Sequence, residues 1–330
     1  MEAAHASVLV AEVIESLSPK NHGVYVDGTL GWGGHSAAIL ERTDARVIGI
    51  DRDPDALDAA RARLGDRIET VHGRFGDLPA ILQDLKITQV DGIVLDLGVS
   101  SPQLDRAERG FSFMKDGPLD MRMDPTQGAT ALELLHELDA EALGEVIREL
   151  GEERYANKIA RLIKDAVRAD RIHTTTELAA LVASAIPLIE QRKSKIHPAT
   201  RTFQALRIAV NRELDQLEQF LAAFPSLLAP DGRCCVISFH SLEDRLVKNR
   251  FRDLAWTSSL PPKLAREAGE RVDAVCEPVT KKAVFAQDAE IEANPRARSA
   301  RLRACRRTDA PVTEAISHPA SGTSRSRGRG

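Results

Sequence analysis

The sequence predicts an open α/β fold whose parallel sheet is interrupted by a long helical insertion. Three observations carry this. Short apolar runs alternate with helical segments from Val24 to Asp96, and the runs ending at Asp51 and Asp96 close on an acid. The rhythm then stops, and only helical patterns follow for roughly 100 residues, the size of a separate helical layer. A buried apolar run, Cys234 to Phe239, then resumes the sheet. Strands alternating with helices imply a parallel sheet covered on both faces.

The elements read in order as follows. Residues 5–17 repeat apolar side chains at helical spacing, and Pro19 and Gly23 close the segment. Val24 to Asp27 is a short strand running into glycines, and Ser36 to Arg42 is the helix beyond them. Arg46 to Asp51 is a second strand and Pro54 to Leu64 a second helix. Ile68 to His72, Leu78 to Leu85 and Val90 to Asp96 continue the strand, helix, strand alternation. From Leu104 to Pro225 no clear strand is seen, and patterns such as Tyr155, Ile159, Leu162, Ile163 and Val167 mark helices. Leu227 to Arg233, with Pro230, Asp231 and Gly232, reads as a turn before the last strand.

Composition narrows the class. The 330 residues are 43% hydrophobic and 28% charged, as in folded globular chains. With aromatics at 4%, Leu, Ile, Val and Ala must fill the core. A net charge of -4 gives no global basic field, so any nucleic-acid surface must be local. Cys234, Cys235, Cys276 and Cys305 show no Cys-x-x-Cys spacing and fit reduced thiols of a cytoplasmic protein. No signal peptide and no membrane span are expected, and no zinc or calcium motif occurs. Monomer and homodimer both remain open.

The turn Asp27-Gly28-Thr29-Leu30-Gly31-Trp32-Gly33-Gly34-His35 carries the first chemistry. Glycines between a strand and a helix let the backbone approach a ligand and aim free N–H groups at it. The spacing Gly28-x-x-Gly31-x-Gly33-Gly34 is not the Gly-x-Gly-x-x-Gly that cradles a dinucleotide pyrophosphate. It suits S-adenosylmethionine, which has no pyrophosphate but offers an amino-acid end and a ribose. Asp51 sits where a carboxylate accepts ribose hydroxyls, although an N-cap role before Asp53-Pro54 fits as well. Phe75 flanks an adenine position or belongs to the core. Asp96 ends the fourth strand, where ligands of open α/β sheets bind, and a plain loop anchor is its alternative.

After Asp96 comes Leu97-Gly98-Val99-Ser100-Ser101-Pro102-Gln103, in the slot where exocyclic-amine methyltransferases carry an Asp/Asn/Ser-Pro-Pro-aromatic motif. Ser101-Pro102 matches half of it. Longer strings follow: Ala107-Glu108-Arg109-Gly110-Phe111-Ser112-Phe113, Asp116 to Asp124, Gly151-Glu152-Glu153-Arg154, His197 to Gln204, Ser238 to Arg245 and Asn294 to Ser299. Together these closely resemble the bacterial ribosomal small-subunit RNA methyltransferase H family, also called MraW, from about residue 5 to 307.

That resemblance implies a Rossmann-like class I methyltransferase domain, residues 1–105 and 216–309, with an inserted helical substrate-recognition domain, 106–215. It implies methylation of the exocyclic N4 of a cytosine in 16S ribosomal RNA at the decoding centre, with S-adenosylmethionine as donor. Its cofactor contacts map onto Gly33, Gly34, His35, Asp51, Phe75, Asp96 and Gln103. Residues 310–330, rich in Ser, Gly and Arg, read as a disordered tail.

Cytosine N4 is a poor nucleophile because its lone pair is delocalised into the ring, so an acceptor for its proton is needed. Ser101, the carbonyls around Pro102 and Asp96 are the candidates. Two basic clusters are candidate RNA contacts: Arg192, Lys193, Lys195, His197 and Arg201, and Arg296, Arg298, Arg301, Arg303, Arg306 and Arg307. Phe111 and Phe113 either stack a splayed base or fill the core. His240 is either an active-site wall or a structural hydrogen-bonding group. A dinucleotide dehydrogenase is disfavoured by the glycine spacing. A non-catalytic RNA-binding assembly factor would need neither the glycine turn nor Asp51 and Asp96.

Overall fold

A computed structural model of the protein describes residues 7–255, 260, 264, 267–268 and 274–312. The chain forms two compact units. Among the described residues, one holds those up to Asp51, Asp55–Leu97 and those from Asp215 onward; the other holds Arg52–Pro54 and Gly98–Leu214.

The first unit is Rossmann-like. Its strands are β1 Val24–Asp27, β2 Arg46–Asp51, β3 Ile68–His72, β4 Val90–Asp96, β5 Leu228–Ser238, β6 Cys276–Pro278, β7 Val284–Phe285 and β8 Arg301–Arg307. Among the described residues they form one sheet in the order β3-β2-β1-β4-β5-β8-β6, with β7 also on β8. The pairings among β1 to β5 are parallel. β8 runs antiparallel to β5, β6 and β7. Parallel strands covered on both faces read as continuous apolar runs, and Val47, Ile48, Ile50, Ile93, Val94 and Leu95 are at most 1% exposed. Helices Val10–Leu17 and Gly34–Leu40 join the core on one face. Helices Leu78–Asp84, Glu213–Leu227 and Ser241–Leu254 join the core on the other.

Three sequence readings need correction here. The helix after the glycine turn opens at Gly34, two residues earlier than Ser36. The expected turn at Leu227 to Arg233 is a bulged start of β5. Val90 pairs with Leu228 and Gly92 with Arg233, so the partner strand bulges out between them, with Asp231 at φ 65°. The segment Arg301–Arg307, read as a basic cluster, is the antiparallel strand β8. Its Leu302, Ala304 and Cys305 are fully buried. All four cysteines lie buried and reduced in this part of the sheet. Burial pushes the Cys235 thiol up to about 12, which keeps it an unreactive thiol.

The second unit is helical, with helices Ala131–Glu137, Ala140–Gly151, Ala156–Arg168, Thr175–Ala185 and Thr200–Asn211 around its own core, and the short helix Leu188–Lys193 outside that core. Capping boxes open two of them, Thr130 with Glu133 and Thr174 with Glu177. Gly151 is required by a close approach, since a Cβ there would lie 2.6 Å from the Arg201 carbonyl oxygen. Buried Lys164 donates to the carbonyls of Leu135 (2.6 Å) and His136 (3.1 Å) in the last turn of helix Ala131–Glu137. Among the described residues no helix is long and apolar enough to cross a membrane. Val312 packs on the core of the first unit. The remainder of the expected tail, residues 313–330, lies outside the described residues.

Candidate functional site

In the first unit the carboxyl ends of β1, β2 and β4 carry Asp27, Asp51 and Asp96 on adjacent strands. The glycine turn is pinned between the outer two. The Leu30 amide donates to the Ile50 carbonyl (3.0 Å) and the Gly28 amide to the Val94 carbonyl (2.9 Å). The Gly31 amide donates to Asp51 Oδ2 at 2.8 Å. Gly31 and Gly33 hold φ of 50° and 72°, the left-handed region that glycine enters without strain. A Cβ on Gly33 would in addition lie 2.9 Å from Leu64 Cδ1.

The buried network beneath the turn was not singled out by sequence. Asp27, 1% exposed, accepts from the Ser36 hydroxyl at 2.8 Å. The Asp96 amide donates to Thr29 Oγ1 at 2.6 Å, which links the turn to the end of β4. The available signal was Asp27 ending a strand with a hydroxyl residue two positions later.

Asp96 is the most perturbed acid of the site. Burial raises its pKa to about 6; His35 lowers it, while Asp27, Glu243 and Glu290 add to the rise. Its Oδ1 is buried with no hydrogen-bond partner. Its Oδ2 lies 4.0 Å from His35 Nδ1, longer than a hydrogen bond. The other His35 nitrogen, Nε2, is 3.0 Å from the Val8 carbonyl. A carbonyl only accepts, so Nε2 carries a hydrogen there. Asp27 is also raised by burial. A buried carboxylate oxygen without a donor, among further acids, is an environment for a cationic donor. The α-ammonium and sulfonium of S-adenosylmethionine are of that kind, and the residues present fit this cofactor. Asp96 and Asp51 are the groups that would hold it.

Gly33, Gly34, His35, Asp51, Phe75 and Asp96 thus all lie in the first unit, and Ser101 and Gln103 in the second. Phe75 is 7% exposed and packs edge-on against Phe220 at 6.2 Å. Ser101 opens helix Ser101–Asp105 and is half-buried, behind the N-cap Ser100. Buried Gln103 completes that capping box: its Oε1 accepts from the Ser100 amide at 3.0 Å. His240 caps helix Ser241–Leu254, and its Nε2 lies 3.1 Å from Glu243 Oε1.

Phe111 is 7% exposed, and Phe113 packs on Phe203 (4.8 Å) and His197 (4.6 Å), so both serve the second unit's core. Much of the second basic cluster is committed to the fold. Arg303 pairs with Asp244 at 2.7 Å, Arg306 with Asp231 and Glu277, and Arg307 donates to the Pro225 and Val275 carbonyls. The first cluster stays at the surface: Arg192, Lys193, Lys195, His197 and Arg201 are all exposed. Lys193, His197 and Arg201 line an open cleft of about 280 Å³ with Arg154 and Tyr155.

The family model described as the MraW methylase family matches residues 2–308. A ribosomal RNA small subunit methyltransferase H of Sorangium cellulosum is 52% identical over 92% of this chain and 90% of its own. That of Syntrophotalea carbinolica is 52% identical over 92% of this chain and 98% of its own. Among solved structures, an rRNA methylase from Streptococcus thermophilus matches at TM-score 0.37 and 11% identity, covering 91% of this chain and 93% of that one.

Proposed function

The chain belongs to the MraW methylase family of S-adenosylmethionine-dependent methyltransferases, and we propose that it methylates the exocyclic N4 of a cytosine in 16S ribosomal RNA, at the decoding centre, in the cytoplasm. The substrate class follows the names of relatives at about half identity over most of the chain, which are methyltransferases of small-subunit ribosomal RNA. The observation that carries the chemistry is Asp96 Oδ1, a buried acceptor with no donor at the end of β4.

S-adenosylmethionine supplies an electrophilic methyl group on sulfur. The protein must position donor and acceptor and accept the proton that the amino group sheds. Asp51 and the Gly31 amide fix one another, which presents the ribose carboxylate on a rigid turn. Asp96, buried at the end of β4 with Oδ1 unpartnered, is the first candidate acceptor for that proton. Ser101, at the head of its helix, is the second candidate acceptor. The exposed cluster from Arg192 to Arg201 supplies phosphate contacts, the sequence-independent part of RNA binding.

The test uses labelled S-adenosylmethionine and small ribosomal subunits from cells lacking the enzyme. Nucleoside analysis is expected to yield N4-methylcytidine; its absence, or label in another nucleoside, refutes the proposal.

A further inference from the structure

Ser7, Val8 and Leu9 lie against the helix that follows the glycine turn. Ser7 occupies the space that a Cβ on Gly34 would need. The Leu9 amide donates to Glu290 Oε1 at 2.7 Å, on helix Asp288–Ala293. Leu9 is fully buried and holds φ 54°, a left-handed backbone that costs a non-glycine residue about 1–2 kcal/mol. Its burial and the bond to Glu290 hold it there, so the fold imposes the direction of the Val8 carbonyl just before it. That carbonyl meets His35 Nε2 at 3.0 Å.

A neutral imidazole carries one ring hydrogen. With that hydrogen on Nε2, toward Val8, Nδ1 is left as a bare lone pair. His35 is 3% exposed, and Nδ1 lies 4.0 Å from Asp96 Oδ2. When Asp96 is ionised, two acceptors face each other across a gap that neither bridges without a proton. One proton satisfies both, whether it rides on the carboxyl or on the ring. Asp27 on β1, Glu243 on helix Ser241–Leu254 and Glu290 also act on Asp96, and all three are acids. Glu243 is itself paired with His240 at 3.1 Å. This surplus of acids favours keeping the proton.

We propose that His35 is a positioning residue for methyl-donor binding: its Nδ1 and Asp96 bind one proton between them in a single titration step, and the cation of the donor replaces that proton, which leaves to solvent. This rests on the reading of Asp96 as the acid that faces the donor's cation, which its unpartnered Oδ1 supports. His35 touches no reacting atom. It acts by setting the pH at which Asp96 becomes available, and the Val8 carbonyl fixes the tautomer that lets it do so. All the groups invoked lie in the first unit.

The test reads the free protein first. The full chain carries ring-¹⁵N histidine and carboxyl-¹³C aspartate, with signals assigned through His35→Gln and Asp96→Asn. His35 Nδ1 and the Asp96 carboxyl are expected to shift at one common midpoint between about pH 5 and 8, while Nε2 keeps its hydrogen throughout. His35→Gln keeps a donor for the Val8 carbonyl and offers Asp96 no basic nitrogen. Losing one of two places for the proton should lower the Asp96 midpoint by about half a pH unit, about threefold in proton affinity. The pH at which S-adenosylmethionine affinity levels off, read by calorimetry, should move down with it. A permanently charged His35 predicts the opposite sign, since removing a cation raises the midpoint, and a merely structural His35 predicts no shift. Separate midpoints for the two residues, an Nδ1 that carries hydrogen above the Asp96 midpoint, or an Asp96 midpoint that rises or stays put in His35→Gln overturns the proposal. Should His35→Gln not fold, the wild-type spectra decide by themselves. Wild-type affinity in Asp96→Asn overturns the step to donor binding; the shared proton still shows in the spectra of the free protein, so the two failures are told apart.

Discussion

Asp51 Oδ2 and the Gly31 amide are joined at 2.8 Å, so the acid expected to hold the ribose also holds the turn. The two roles separate by substitution. Asp51→Ala removes both the charge and the acceptor. It is expected to weaken S-adenosylmethionine binding at least tenfold and to cost about 1 kcal/mol of stability, a few degrees in melting temperature. Asp51→Asn keeps an oxygen for Gly31, so its melting temperature should stay near wild type while affinity still falls. Calorimetry and thermal melts on both variants decide; full affinity in Asp51→Asn would remove the ribose role.

Asp96 makes cofactor binding depend on pH, and the sign can be worked out. Its pKa in the free protein is raised to about 6, mainly by burial. Ionising it therefore costs the free protein stability that is present below the unfolded carboxylate range and lost as pH rises through about 6. A cationic ligand favours the ionised form, so binding releases a proton and affinity rises with pH. Between pH 5 and 7.5 the dissociation constant is expected to fall about tenfold and then level off. Asp96→Asn should bind weakly with a flat profile. A flat wild-type profile would mean that no cation faces Asp96.

The glycines of the turn differ in a way that a melt can read. Gly33 has φ 72°, and a Cβ there would meet Leu64 Cδ1 at 2.9 Å; Gly31 has φ 50°, and the nearest atom to its Cβ would be 4.0 Å away. Left-handed backbone costs a non-glycine residue about 1–2 kcal/mol. Gly31→Ala should show that strain alone, and Gly33→Ala the strain plus a displaced Leu64. Gly33→Ala is expected to have the lower melting temperature of the two. Equal losses would mean that the Leu64 contact relaxes freely.

What could be read from sequence was what periodicity and strand-end chemistry record. The runs through Val47, Ile50, Ile93 and Leu95 are buried on both faces, so they read as strands, and acids at their ends are visible as Asp51 and Asp96. The alternation in Arg301-Leu302-Arg303-Ala304 was also there, but the arginines masked it. Arg301 and Arg303 are neutralised by Asp244, and Arg306 by Asp231 and Glu277, partners far away in the chain. For the same reason the Asp53–Gln103 and Arg109–Asp53 contacts, 50 and 56 residues apart, leave no local pattern. Phe111 and Phe113 show the converse: an aromatic residue in a loop looks available until packing claims it.

The two arginine-rich clusters should now separate cleanly. Arg192, Lys193 and Lys195 are exposed, and substitutions at such positions scarcely change stability. Arg303 is held by Asp244 through two hydrogen bonds of 2.7 and 3.2 Å, with both side chains 15% exposed. Reversing the first three to Glu is expected to raise KM for small ribosomal subunits at least tenfold. It should also reduce the steepness of the salt dependence by about 2 in the logarithmic slope, since each lost phosphate contact removes roughly 0.7–0.9. The melting temperature should not move. Arg303→Ala should do the opposite, lowering stability by about 1–3 kcal/mol, because it leaves Asp244 only the longer contact to Arg301 at 3.7 Å, and leaving the salt slope unchanged. Methyl transfer measured across a salt series, with thermal melts of the same preparations, reads both. A salt slope that falls in Arg303→Ala and stays put in the triple reversal would assign the RNA surface to the wrong unit.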